Sequence, residues 1–337
     1  MKRFTAILLA MVLLLCGCSV EWEDTAAPDT AAEDRSSGID HINANMAATQ
    51  DAFYYESEGA ILEGTIEKTV GEKIAKGRLI GAGLEQVYYK EENNLYAETP
   101  AGRKVLLAET EKICYQMESA QGKDLLFIGE ELYLINERDP EDRVGYTLKN
   151  HAYACLGEGF IYWYRLEEGN RATLCKTELF SQETEELCPL GYIGTAKPHM
   201  NWHEGNLYFY YGYTLYSYNP DKDEKSVVGE YAEGDQCVFW DGKAYLNRSF
   251  ESKKHLEVVD LKSNKVIRTE KGKIENLSSG QEGVAYRLEE KLVVERTDGI
   301  SQFSIDKNHT VYGLLLAKTG VFVKTQKEYQ FYSYSKV

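Results

Sequence analysis

Seven glycines set the rhythm of this chain. Gly83 stands before Val87-Tyr88-Tyr89, Gly122 before Leu125-Leu126-Phe127, Gly159 before Phe160-Ile161-Tyr162 and Gly205 before Leu207-Tyr208-Phe209. Gly242, Gly283 and Gly320 head Ala244-Tyr245-Leu246, Val284-Ala285-Tyr286 and Val321-Phe322-Val323 in the same way. Successive members lie 37 to 46 residues apart. A period of this length marks a repeated supersecondary unit that cannot bury its apolar face alone. The runs alternate with period two, as in Leu207-Tyr208-Phe209-Tyr210, so the unit is made of strands.

Each unit has one internal order. A first strand ends at the glycine and a second carries the aromatics. A third follows, such as Leu95-Tyr96-Ala97, Leu132-Tyr133-Leu134 or Leu215-Tyr216-Ser217. A turn such as Asn219-Pro220-Asp221-Lys222 or Thr297-Asp298-Gly299 leads to a fourth, such as Val105-Leu106-Leu107. Four antiparallel strands repeated about seven times predict an all-β protein, a seven-bladed β-propeller spanning residues 51–337. The last unit stops after Tyr329–Tyr334 without a fourth strand, and residues 51–76 are expected to supply it. Phe53-Tyr54-Tyr55 with Ile61-Leu62 resembles one more hairpin, which makes eight blades the alternative. It lacks the preceding glycine, and the count therefore favours seven.

The N-terminus has a different texture. Lys2-Arg3 precedes an apolar run from Ala6 to Leu15 and then Leu15-Cys16-Gly17-Cys18. The run is well short of the ~20 residues that span a bilayer. It has the proportions of an export signal. The layout resembles a bacterial lipoprotein signal. That resemblance implies cleavage after Gly17, diacylglycerol on the Cys18 sulfur, and a place on the outer side of the cell membrane. One acyl chain holds a protein only marginally, and two suffice. Residues 1–17 are thus read as signal peptide and 18–50 as lipidated cysteine and tether. Glu21, Glu23, Asp24, Asp29, Glu33, Asp34 and Asp40 give the tether an acidic, disorder-prone character. The order of glycine, Tyr-Tyr strand, Leu-Tyr strand and Asp- or Asn-rich turn resembles the uncharacterised β-propeller lipoproteins of Gram-positive bacteria. The resemblance covers residues 51–337 and implies a fold, not an activity.

The net charge of −16 argues against nucleic acid, whose phosphates need clustered Lys and Arg. Beyond Cys16 and Cys18 five cysteines remain: Cys114, Cys155, Cys175, Cys188 and Cys237. Cys175 and Cys188 can face each other across a turn at Ser181-Gln182, as a disulfide or as two unpaired strand thiols. No metal or cofactor is expected. His199 and His203 fall on a strand, where four residues span ~13 Å, too far for one metal. Asp139-Pro140-Glu141-Asp142 and Asp221-Lys222-Asp223-Glu224 lack the glycine and terminal glutamate of a calcium loop. Trp240-Asp241 occurs once and sits in a turn. Neither a nucleophile elbow nor a phosphate-binding glycine loop is present.

The remaining signal lies in the loops between second and third strands. These share one rim with the links between blades. Arg165, Arg171, Tyr211, Tyr213, Arg248 and Phe250 fall there, and Tyr and Arg dominate interface energetics. Solvated loop tips are the plainer alternative. The sequence thus reads as a non-catalytic binding or scaffolding module for an extracytoplasmic peptide, glycan or membrane-protein partner. A glycan-active hydrolase with paired carboxylates in the central cleft is the alternative.

Overall fold

A computed structural model describes residues 46–334, apart from 50–51, 65–70, 84, 100, 121, 170, 193–198, 231–235, 249–254, 281, 307–308 and 326–328. Cys18 and Phe250 lie outside the described residues. The described residues form strands joined by turns, in eight antiparallel sheets taken in chain order. The blades span 46–76, 78–109, 114–147, 151–192, 199–230, 236–271, 274–304 and 311–333. The first strand of every blade lies against the first strands of its two neighbours. The circle is completed where Val311–Ala317 meets Met46–Ala48. The protein is an eight-bladed β-propeller.

The core is divided in the same way. One buried cluster lies at each of the eight blade–blade interfaces. Second strands are covered on both faces. In Val87–Glu91, Tyr88 serves the interface with blade 3 and Tyr89 the interface with blade 1. This is why the second strands read as continuous apolar-aromatic runs. Fourth strands lie on the outside and are polar, as in Glu224–Glu230.

All seven glycine-marked units are blades, and the eighth blade is the one without a glycine. Its first strand, Met46–Ala48, lies inside the segment read as tether. The turn that follows uses Thr49. The Thr49 amide donates to the Ala52 carbonyl at 2.9 Å, and the Ala52 amide donates to Thr49 Oγ1 at 3.3 Å. The Thr49 hydroxyl thus braces the turn, as in other Ser/Thr turns. Elsewhere glycine is required by the backbone. Glu204-Gly205 and Asp241-Gly242 both sit at positive φ (45° and 77°, 48° and 66°), the tight hairpin geometry.

The expected closure is also corrected. Residues 53–76 do not complete the last blade, because they build blade 1 with Met46–Ala48. Among the described residues blade 8 has three strands, Val311–Ala317, Gly320–Thr325 and Tyr329–Ser333. The two ends meet face to face. Met46, Ala48, Phe53 and Tyr55 pack on Leu315, Ala317 and Phe322, and the Tyr55 and Tyr329 rings lie 4.3 Å apart.

Candidate binding site on the rim

Strand direction sorts the loops into two rims. Turns between second and third strands share one rim with the links between blades. Turns between first and second, and third and fourth, strands form the other. The first rim carries a cleft of about 880 Å³ where blade 7 meets blade 8. Lys273, Glu275, Arg287, Glu289, Lys291 and His309 line it.

Arg287 is the centre of the cleft. It is the one charged residue in Gly283–Leu288, a second strand buried at the other positions up to Tyr286. Its own residue exposure is 6%. Nε donates to the Glu289 carbonyl at 2.9 Å and Nη1 to the His309 carbonyl at 2.8 Å. Nη1 also lies 3.6 Å from Glu275 Oε2, its register partner on Ile274–Gly280. One guanidinium thus ties a strand, a turn and an inter-blade link together, using the fork geometry peculiar to arginine. The register between Glu275 and Ser278 is broken by a bulge with Asn276 at φ 55°. Bulges of this kind re-aim neighbouring side chains at the ends of sheets. Glu275 also pairs with Lys273. Glu289 takes a positive φ of 55° in the two-residue turn Glu289-Glu290.

The residues singled out in the sequence occupy the same rim on other blades. Arg165 and Arg171 flank the turn of blade 4, Tyr213 lies in the turn of blade 5, and Arg248 ends the second strand of blade 6. Arg165 is held by Glu186 at 2.7 Å and Glu167 at 3.3 Å. Arg248 pairs with Glu257 at 2.9 Å, whose other oxygen lies 3.1 Å from His255 Nε2. Arg171 is exposed at the start of its strand. Tyr213 sits at φ 65° beside Gly212. Tyr211 is not a rim residue. It is 2% exposed, packs in the blade 4–5 core, and donates from its hydroxyl to the Gly191 carbonyl at 2.5 Å. Burial pushes its phenol up to about 12. The cleft residues went unnoticed because their only sequence signal was an arginine inside an apolar second strand.

Cys175 and Cys188 are both thiols in this structure. A bulge offsets them, so Leu174 faces Cys188 while Cys175 faces Glu186. Cys175 packs in the blade 3–4 core and Cys188 against the blade 4–5 core. They lie on opposite faces of one sheet, which separates them as alternation demands. Of the two sequence alternatives the structure has the unpaired one. Burial pushes the Cys175 thiol up to about 11. No group of three His, Cys, Asp or Glu among the described residues is placed to hold a metal ion.

The other rim holds a buried polar cluster between blades 2 and 3. Asp124, 0% exposed, accepts from Tyr88 Oη at 2.5 Å, Gln86 Nε2 at 3.2 Å and Ser119 Oγ at 2.6 Å. Gln86 Nε2 also reaches the Asn136 carbonyl at 3.1 Å. Burial pushes the Asp124 carboxyl above its ordinary range, against the pull of these bonds. Gly83 makes the room: a Cβ there would lie 2.1 Å from Asp124 Oδ2.

With this geometry in hand the chain can be set beside solved structures. It is similar to the Dos1 propeller. That likeness has a TM-score of 0.55 at 9% identity, over 86% of this chain and 90% of that one. The dihydro-heme d1 dehydrogenase NirN gives a TM-score of 0.54 at 9% identity, over 78% of this chain and 66% of that one. A chain of the mitotic checkpoint complex gives 0.51 at 10% identity, over 76% and 89%. At such identities the likeness is one of fold. No protein-family model matches the chain, and no curated protein matches it in sequence.

Proposed function

We propose that this protein is a lipid-anchored, extracytoplasmic binding module that holds a protein or peptide partner on the rim carrying the blade 7–8 cleft. The observation that carries the reading is the cleft itself. Arg287 is buried and clamped beneath an exposed margin of Lys273, Glu289, Glu290 and Lys291. A rigid floor with a margin of both charge signs suits a polypeptide bearing side chains of both signs. It suits a uniformly charged polymer less well. The same rim presents Arg171, Tyr213 and Arg248 on blades 4 to 6, so a long partner can follow it around the ring. The anchor is Cys18, read from the basic, apolar and small-Cys order of the first 18 residues.

The test is cross-linking on intact cells followed by recovery of the tagged protein. Lys273→Glu with Lys291→Glu should lose most of the recovered partner. Lys222→Glu, on the opposite rim, should lose none. Partner recovery that ignores the cleft variants would defeat the proposal. Hydrolysis of a glycan panel, abolished by a single carboxylate substitution, would replace it with the enzyme reading. Metabolic acyl labelling tests the anchor, and Cys18→Ser should abolish the label.

A further inference from the structure

We propose that Phe180 anchors a second docking surface, on the rim opposite the cleft, for a protein that offers an apolar pocket bordered by lysine or arginine. Phe180 lies in the turn between Arg171–Glu178 and Thr184–Tyr192, the third and fourth strands of blade 4. It is 97% exposed, whereas the other exposed large hydrophobic residues among the described ones range from 38% to 58%.

The turn holds this ring out rigidly. The Leu179 amide donates to the Gly159 carbonyl at 3.0 Å, and the Leu179 carbonyl accepts from Tyr146 Oη of the preceding blade at 2.9 Å. On the far side of Phe180 the Ser181 hydroxyl donates to Glu178 Oε2 at 2.5 Å, and the Glu183 amide donates to Ser181 Oγ at 3.2 Å. The residues before and after Phe180 are thus both tied down, and little backbone freedom is left to lose on binding.

The repeat shows what the fold itself demands at this place. In blade 6 the Leu261 amide donates to the Gly242 carbonyl at 3.0 Å, and the Leu261 carbonyl accepts from Tyr208 Oη of the preceding blade at 2.7 Å. This is the same pair of bonds. The residue that follows is Lys262, whose side chain is 75% exposed. In blade 3 the Glu137 amide donates to the Gly122 carbonyl at 3.2 Å, and the exposed Arg138 follows. The architecture therefore places a solvated residue here, and two blades fill the position with a charge. Blade 4 fills it with a phenyl ring, which is stabilised only on leaving water for an apolar site. An aromatic side chain entering a partner's pocket is a common form of interface hot spot.

Charge decides which kind of pocket. Residues 178–186 contain Glu178, Glu183, Glu185 and Glu186, all exposed, and no lysine or arginine. Glu185 is met by Lys176 at 3.0 Å and Glu186 by Arg165 at 2.7 Å. Glu178 and Glu183 beside the ring, and the exposed Glu158 in the adjoining turn, add negative charge that these two bases do not meet. The margin of the ring is therefore acidic, and potentials across an interface are complementary. A pocket bordered by lysine or arginine fits this margin. The negative surface of an anionic bilayer does not, and a second copy of a chain with a net charge of −16 fits less well.

The test places the photo-cross-linker p-benzoylphenylalanine at position 180 of the full chain and irradiates intact cells. One protein adduct is expected, with lysine or arginine beside the cross-linked site in the adducted peptide. Glu158→Lys with Glu183→Lys, added to the photoprobe chain, should cut the adduct at least roughly tenfold. Both side chains are exposed, so this variant should unfold at the temperature of the parent chain. Lys273→Glu with Lys291→Glu should leave the adduct unchanged, which separates this surface from the cleft. Adducts to lipid, to a second copy or to many proteins would overturn the proposal. So would no adduct, or one indifferent to the two glutamate substitutions.

Discussion

Replacing Asp124 separates two contributions that the structure sets against each other. Asp124→Ala removes the acceptor of three hydrogen bonds from Tyr88, Gln86 and Ser119 inside a site with no access to water. Bonds to a charged group contribute about 1.5–3 kcal/mol each, but the burial cost of the carboxylate is recovered, leaving a net loss of about 3 kcal/mol. Unfolding entropy of ~2.1 cal/mol/K per residue over roughly 290 folded residues is ~0.6 kcal/mol/K, so Tm should fall by about 5 °C. Asp124→Asn keeps the shape and tests the charge. The folded carboxyl titrates above its ordinary 3.8 because burial outweighs its hydrogen bonds. Between that value and the raised one the folded protein binds more protons than the unfolded chain. Stability from this group therefore falls as pH rises through the window and is flat above it. Glu137 is pushed up in the same direction, first by burial and then by the Asp124 charge. It weakens no part of the comparison, because it is present in both proteins and its coupling to Asp124 adds with the same sign. Urea unfolding followed by tryptophan fluorescence between about pH 4 and 8 should show the wild-type advantage over Asp124→Asn growing as pH falls. An advantage that is constant, or that grows as pH rises, would refute the reasoning.

Other substitutions report on the remaining contacts. Gly83→Ala places a methyl on Asp124 and should destabilise by more than 1 kcal/mol, or about 2 °C, in the same urea and thermal assays. Phe53→Ala strips the blade 1–8 junction of a ring that is 2% exposed and should cost about 3–5 kcal/mol, read as a lowered Tm. Tyr211→Phe removes one hydroxyl bond to Gly191 and should cost about 1 kcal/mol without changing partner recovery. In the native protein Cys175 should resist thiol reagents at neutral pH, its thiol being buried and pushed up to about 11. Mass spectrometry of a Cys175–Cys188 linked peptide would contradict the structure.

The parts of the fold that were legible are those where one physical demand acts alone. A second strand covered on both faces has no choice but to be apolar throughout, and Leu207–Tyr211 announces itself. A two-residue turn at positive φ calls for glycine, and Gly205 and Gly242 obey. Counting glycines still undercounts blades, because the first turn of blade 1, between Ala48 and Phe53, is longer and is braced by the Thr49 hydroxyl. Gly83 warns of the opposite error. It marks a blade correctly, yet what its site demands is room for Asp124, a residue 41 positions away that no local pattern connects to it.

The rim shows why function was harder to read than fold. The loop assignment correctly brought Arg165, Arg171, Tyr213 and Arg248 to one side of the ring, because strand count alone decides which loops share a rim. Which of them meets solvent depends on partners contributed by other strands. Glu186 lies 21 residues from Arg165, and the carbonyl that receives Tyr211 lies 20 residues away on the preceding blade. Arg287 inverts the expectation. A charged residue next to the end of a buried strand looks like a defect. It becomes the floor of a cleft only when the His309 carbonyl, 22 residues on and on the link to the next blade, comes down to meet it. In a ring of blades each interface is completed by the following repeat, so a site between blades cannot be seen inside any single one.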